Sequence, residues 1–170
     1  MKIALIAAIG RDHAIAIGDE LPWYLPDDVA DFRRKVRGHM VLMGRKTYDT
    51  IGHPMQDSPT IIITRNEQYR SEGAIIFHTI PEGIAYARQQ GEEKLFILGG
   101  GEIYKATLPL ATDLYLTQVE GVFPDSTAFF PPVDWTQWQE LTGETFRFEH
   151  STRNSHSFTI KHFVRKQIAD

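Results

Sequence analysis

The run Leu21-Pro22-Trp23-Tyr24-Leu25-Pro26-Asp27-Asp28 carries an apolar and aromatic stretch into a pair of carboxylates. The spacing beyond it predicts a helix over residues 26–37. Pro26 suits the first helical position, and Asp27, Asp28 and Asp31 lie near the end where backbone N–H groups point outward. Arg33, Arg34, Lys35 and Arg37 crowd the opposite end, before Gly38. At about 100° per residue, Leu25, Val29, Phe32 and Val36 share one face, and Asp28 lies roughly 70° from its centre. Asp27 and Asp31 point away and are expected only to complement the helix dipole. A carboxylate at the rim of a pocket walled by Trp23 and Phe32 loses solvation, which raises its pKa towards the range useful for proton transfer. The same group can hold a flat, amidine-like heterocycle through paired hydrogen bonds. The residues alone leave both roles open.

A second set of residues suits phosphate. The apolar run Lys94-Leu95-Phe96-Ile97-Leu98 is followed by Gly99, Gly100 and Gly101 and then by a helical stretch from Glu102 through Ile103 and Tyr104. Glycines between a strand end and a helix start allow close backbone approach, and the exposed N–H groups there favour anions. Met43-Gly44-Arg45-Lys46-Thr47 repeats the pattern with two cations and a hydroxyl, and Ile63-Thr64-Arg65 ends a third apolar run. If all three are strands of one sheet, Arg45 and Arg65 flank the same edge, where α/β sheets bind ligands. Together they favour a phosphorylated dinucleotide, NADPH over NADH.

These residues need a scaffold, and strand-like runs alternating with helical patterns predict an α/β domain around a largely parallel sheet. Strands are expected at residues 3–9, 40–43, 60–64, 74–77, 94–98 and 113–118. Helices are expected at 26–37, 46–51, 81–90 and 101–108. Residues 139–149 and 157–166 alternate in polarity and predict a C-terminal antiparallel hairpin on the sheet edge. With 170 residues, 42% of them hydrophobic, the chain has the length of a single domain spanning residues 1–170. No stretch approaches the length of a membrane span, and the run at 3–9 is too short for a signal peptide. The absence of cysteine suits a reducing cytoplasm. A net charge of -4 argues against nucleic acid as a partner. The seven histidines show no metal-ligand spacing, so no metal is expected; His156 and His162 are expected on one face of a strand in structural roles.

With these residues in view, the chain resembles bacterial dihydrofolate reductases along nearly its whole length. The matching pieces occur in the family's order: Leu5-Ile6-Ala7-Ala8, Leu21-Pro22-Trp23 with Leu25-Pro26 and Asp28, Met43-Gly44-Arg45-Lys46-Thr47, Ile51-Gly52, Ile63-Thr64-Arg65, Gly99-Gly100-Gly101-Glu102-Ile103-Tyr104, Leu114-Tyr115-Leu116-Thr117, and Asn154-Ser155-His156-Ser157. The resemblance implies a single-domain, monomeric enzyme that reduces 7,8-dihydrofolate to tetrahydrofolate with NADPH. Asp28 matches the pterin-binding acid, with Thr117 nearby, and Trp23 supports the acid and a mobile loop over residues 9–23. Ile6, Val29, Phe32, Ile51 and Met55 are implied to wall the substrate rings. Arg45, Thr64 and Arg65 are implied to read the 2′-phosphate. Lys46, Thr47, Gly100, Gly101, Glu102 and Ile103 are implied to hold the diphosphate, and Ala8 and Ile15 the nicotinamide. Leu98, Gly99 and Tyr104 border the cofactor, with Gly99 and Gly100 matching the family's cis pair. Hydride transfer is then mainly positioning, while the proton for N5 comes from a water admitted by the loop, because Asp28 grips the other side of the ring.

Two departures stand out. The family's Arg before the third long strand, which grips the substrate's glutamate tail, aligns with Ser58, so Arg33 with help from His53 is expected to hold the tail more weakly. The loop's Ile-Gly pair becomes Ile15-Ala16, with Gly18 two residues later, so either the local conformation differs or the hinge moves towards Gly18. The rival readings are a reductase of another pterin or of a ribosyl pyrimidine, and a silent NADPH-binding module; the latter leaves Asp28 unexplained.

Overall fold

The computed structural model describes residues 1–167; the last three residues of the expected domain lie outside them. Its centre is the strand β1 (Lys2–Ile9), whose apolar run is buried on both sides. Ile3 and Leu5 pack on one face and Ala4 and Ile6 on the other, as the two-residue period of a strand requires. The chain continues through β2 (Ala14–Ala16), α1 (Pro26–Val36), β3 (Val41–Gly44), α2 (Arg45–Ile51), β4 (Thr60–Ile63) and β5 (Ala74–Phe77). Then come α3 (Ile80–Gln89), β6 (Lys94–Ile97), α4 (Gly101–Thr107), β7 (Asp113–Val119), β8 (Ala128–Phe129), β9 (Trp138–Glu140), β10 (Phe146–Phe148) and β11 (Phe158–Arg165).

The main sheet runs β10-β11-β7-β1-β6-β3-β4-β5, with β9 also pairing on β11. From β7 to β5 every pairing is parallel, and β11 runs antiparallel to β7. Val36 of α1 and Tyr48 of α2 pack with Ala4, Ile6, Val41, Met43 and Phe96 on one face. Ile84 and Ala87 of α3 and Tyr104 of α4 pack with Ile3, Leu5, Leu42 and Ile97 on the other. From β6 the chain crosses by α4 to β7 on the far side of β1, whereas β3, β4 and β5 step outward in the opposite direction. The winding therefore reverses beside β1, and an open α/β sheet places its ligand crevice at the carboxyl ends of the strands there.

The expected elements are all present, with ends displaced by a residue or so. Three differences are larger. The first arm of the C-terminal hairpin is broken: Thr142–Glu144 forms a 3-10 turn between β9 and β10, so two short strands share the edge of β11. Glu144 turns in to meet the ring of His162, and the Leu141 N–H donates to the His162 carbonyl. His156 lies before β11 rather than on it, with its ring edge-on to Phe123. The loop expected over residues 9–23 is partly a ribbon, because β2 pairs with β8 through Ala14 opposite Phe129 and Ala16 opposite Ala128. Three-residue and two-residue strands carry too little alternation to be read from sequence. The left-handed residues of that loop are His13, at φ 66°, and Gly18, at φ 58°, whereas Ala16 is part of the ribbon and is not left-handed. Of the two expected alternatives, the conformation seen has its left-handed glycine at Gly18 and an ordinary ribbon residue at Ala16.

Candidate active site

Asp28 sits in the first turn of α1, where its carboxylate accepts a hydrogen bond from the Thr117 hydroxyl of β7 at 2.5 Å. Burial pushes this carboxyl above the ordinary carboxylate range; the Thr117 bond pulls it partly back, the charge of Asp31 adds to the rise and Lys35 opposes it. Of the three neighbouring acids, Asp28 alone turns towards the sheet. Asp31 pairs with Arg34 and Lys35 on the helix surface. Asp27, expected only to complement the dipole, is instead bonded to Arg153 and Asn154 of a distant loop. Pro26 occupies the helix start as expected, and Leu25 is its cap, with no side-chain oxygen serving the first turn from within the segment.

An apolar wall stands beside the acid. Ile6, Phe32, Ile51, Met55 and Leu98 belong to one cluster with Met43 and Tyr115. Val29 shares the helix with Phe32 but is 36% exposed and stands outside that cluster. Trp23 is buried, with its ring edge-on to Phe123 at 5.1 Å, in a cluster that Ala8 joins. Ile15 is buried on the opposite face of the sheet with Tyr104.

The three strand ends that carry the glycines and cations adjoin in the sheet. The Gly44 N–H donates to the Gly99 carbonyl at 2.8 Å, joining the end of β3 to the end of β6. Ile63, next to Thr64 and Arg65, stands opposite Gly44 in the ladder between β3 and β4. The peptide bond between Gly99 and Gly100 is cis, and Gly99 has φ 111° with the Tyr104 ring 3.0 Å from where a Cβ would stand. A Cβ on Gly100 would lie 3.4 Å from the Thr47 hydroxyl, and one on Gly101 3.1 Å from the Phe129 carbonyl. Both α2 and α4 begin after glycine with no side-chain cap, so their first N–H groups have no side-chain acceptor. Arg45, Lys46, Arg65 and Glu102 are exposed around this turn. Tyr104 is buried, its hydroxyl donates to the Ile6 carbonyl at 2.6 Å, and burial pushes the phenol above its usual range.

The half-buried acid, the apolar wall and the glycine-lined, cationic strand edge all lie within residues 2–165, which match the dihydrofolate reductase family profile. The chain belongs to the dihydrofolate reductase family. It is 36% identical over 166 residues to the dihydrofolate reductase of Neisseria meningitidis serogroup A, covering 97% of this chain and 99% of that protein. With the enzyme of Haemophilus influenzae the identity is 33% over 160 residues, covering 94% and 98%. The solved structure of the Enterococcus faecalis dihydrofolate reductase complexed with NADP(H) and RAB-propyl superposes with a TM-score of 0.89 at 29% identity, covering 98% of this chain and 97% of that one.

Ser58 is the residue expected to stand in place of the family's tail-gripping Arg. Its side chain is 2% exposed and its hydroxyl donates to the Val36 carbonyl at 2.9 Å, so it seals the end of α1 and carries no charge. Arg33 is exposed and, among the described residues, its guanidinium makes no hydrogen bond or ion pair. His53 is exposed with Nδ1 2.9 Å from the Pro54 carbonyl. Sequence reasoning missed the contacts of Asp27 with residues 153 and 154. The only signal was the presence of Asn154 in a matching segment, and nothing in the spacing ties residue 154 to residue 27.

Proposed function

We propose that this chain reduces 7,8-dihydrofolate to tetrahydrofolate with NADPH, as a monomer in a reducing cytoplasmic setting. The observation that carries the reading is Asp28: a desolvated carboxylate held by Thr117 of β7 beside an apolar wall, on a sheet in which β1 alone separates β7 from β6 and the glycine turn that follows it. The residues present fit the cofactor. Gly44, Gly99, Gly100 and Gly101 let the backbone pack against Ile103, Tyr104, Thr47 and Phe129 where a Cβ would crowd them, and the uncapped starts of α2 and α4 offer N–H groups to a diphosphate. Lys46, Thr47, Glu102 and Ile103 stand around that turn, with Arg45, Thr64 and Arg65 on the side where a 2′-phosphate would be read. Ala8, Ile15, Leu98 and Tyr104 are the residues nearest in role to the nicotinamide.

When bound, NADPH supplies the hydride for C6 of the pterin. The chain's own work is to hold the substrate flat and to manage protons. Ile6, Phe32, Ile51 and Met55 form the apolar walls with Val29 at their exposed rim, and Asp28 grips the 2-amino group and N3. Because Asp28 holds that side of the ring, it tunes the ring electronically, and the proton for N5 comes from water admitted past Trp23 and the loop. The primary test is the loss of NADPH absorbance on adding dihydrofolate. Tight NADPH binding with no oxidation on any pterin would overturn the reading.

The glutamate tail is held weakly, by Arg33 with His53 beside it. The preference for dihydrofolate over dihydropteroate, which lacks the glutamate, is therefore expected to stay within about 10²-fold in kcat/KM, about 3 kcal/mol for one charged bond. Arg33→Ala should remove most of it. A larger preference, or one that survives the substitution, would mean that another anchor holds the tail.

In the loop, Gly18→Ala places a Cβ at positive φ, at a cost of about 1 to 2 kcal/mol in the conformation seen here. It is expected to change the rate of product release measured by ligand competition, whereas Ala16→Gly should change it less. The reverse order would return the hinge to residue 16.

A further inference from the structure

The segment between Trp23 and Asp28 is stitched to the loop joining β10 and β11. The Tyr24 N–H donates to the Ser155 hydroxyl and the Ser155 N–H donates back to the Tyr24 carbonyl, each at 2.9 Å. One residue before the acid, the Asp27 carboxylate accepts from Asn154 Nδ2 at 2.7 Å and from Arg153 Nε at 2.8 Å. The Asp27 N–H points back at Asn154 Oδ1, at 3.4 Å. A helix start normally takes its acceptor from its own capping side chain, and Leu25 cannot supply one. Asn154 offers it from across the molecule.

The clasp is itself rigid. Asn154 is 3% exposed, its N–H donates to the Ser151 hydroxyl at 3.1 Å, and its carbonyl accepts from the Ser151 N–H at 3.0 Å. The loop leads directly into β11, where Ile160 stands opposite Thr117 of β7. Thr117 donates to Asp28. A closed ring therefore runs from Asp28 through Asp27, Asn154, β11 and β7 to Thr117 and back to Asp28. Thr117 fixes the carboxylate and the clasp fixes the backbone that carries it. Successive helix residues are about 100° apart, so a small rotation or fraying of the first turn of α1 would swing Asp28 off the line it shares with Thr117.

We propose that Asp27, Asn154 and Arg153 are positioning residues that aim the Asp28 carboxylate, and so set the affinity for the flat amidine-like ring without touching it. The inference rests on the reading of Asp28 as the substrate-binding acid. The glycine edge that suits the cofactor lies on the ends of β3 and β6 and has no part in this ring. Affinity for the substrate and for NADPH should therefore separate.

The test compares wild type with Asp27→Ala, Asn154→Ala, the double variant and Asp27→Asn. KM for dihydrofolate is expected to rise about tenfold in each alanine variant and no further in the double, because both remove one shared interaction. Asp27→Asn, which keeps an acceptor oxygen for Arg153 and Asn154, should recover most of the loss. The NADPH dissociation constant, read from protein fluorescence, should stay within about twofold of wild type throughout. Arg147→Ala, in the neighbouring strand β10, is the control: it breaks exposed ion pairs with Glu120 and Glu149 and should leave both constants unchanged. Arg153→Ala removes one exposed partner and serves if the buried substitution at Asn154 prevents folding. An unchanged KM for dihydrofolate in folded variants would overturn the inference. So would a parallel loss of NADPH affinity, additive losses in the double variant, or an equal rise in KM with Arg147→Ala. A wild type that turns over no dihydrofolate would instead overturn the function itself, and is read before any variant.

Discussion

Asp28→Asn is expected to cut dihydrofolate turnover at neutral pH by on the order of 10²-fold or more, while making the free protein more stable. The two effects share one cause. Burial raises the folded-state pKa of this carboxyl above its unfolded value. The folded state thus disfavours the charged form, so the acid's favourable contribution is fully present below the unfolded pKa and is lost as pH rises through the folded one. At neutral pH the wild type carries a partly desolvated charge that Thr117 and Lys35 offset only in part. Asparagine keeps the shape and an acceptor for the Thr117 hydroxyl but has no charge to desolvate. In a chain of this length each 1 kcal/mol recovered raises the melting temperature by about 2 to 4 °C. The gain should shrink as pH falls below the raised pKa and vanish below about 4, where the wild-type acid is also neutral. Turnover against pH and thermal melts on the same two proteins check both halves. Near-normal turnover would remove Asp28 from the mechanism, and an unchanged melting temperature at neutral pH would mean that its charge is well solvated.

What the sequence made legible divides along the range of the interactions involved. The parallel strands were readable because a doubly buried strand is a continuous apolar run, as in Ile3 to Ile9 or Thr60 to Ile63. Helix α1 was readable because its charges are ordered along the dipole and its apolar residues recur at helical spacing. The inward aim of Asp28 followed from the same helical arithmetic. The glycine turns could be grouped because α/β sheets bind ligands at one strand edge, whereas Thr117 came only from the family resemblance. Contacts between residues distant in sequence stayed hidden. Asp27 looked like a dipole complement because the helix start alone accounts for an acid there, yet its partners are 126 and 127 positions away. His162 gave no hint of Asp113 and Glu144 on its two ring nitrogens, since the first lies on a neighbouring strand and the second in the turn that interrupts the expected hairpin arm. Ser58 could be flagged as an absent cation, but only the structure shows its hydroxyl spent on the end of α1.

Replacing both Arg45 and Arg65 with alanine is expected to lower the preference for NADPH over NADH by about 10² to 10⁴ in kcat/KM, since each charge-assisted bond to a phosphate monoester contributes about 1.5 to 3 kcal/mol. The two arginines should not contribute equally. Arg45 is already engaged: its Nε donates to Asp49 at 3.3 Å and its guanidinium lies 4.6 Å from the centre of the Tyr69 ring, whose hydroxyl bonds the same carboxylate at 3.0 Å. That arrangement holds Arg45 in place but spends part of its charge on Asp49, so its single substitution should give the smaller loss. Arg65 is exposed and, among the described residues, has no ion pair or hydrogen bond to give up, so its full charge is available to the phosphate. The two side chains approach one dianion and are neighbours, so their effects should fall short of strict additivity. Rising salt separates this account from a general loss of binding: it should weaken kcat/KM for NADPH in the wild type and leave NADH nearly untouched, and the double variant should lose that salt dependence. A double variant that keeps the wild-type preference would place 2′-phosphate recognition elsewhere, with Lys46 at the start of α2 the nearest remaining cation on the same edge.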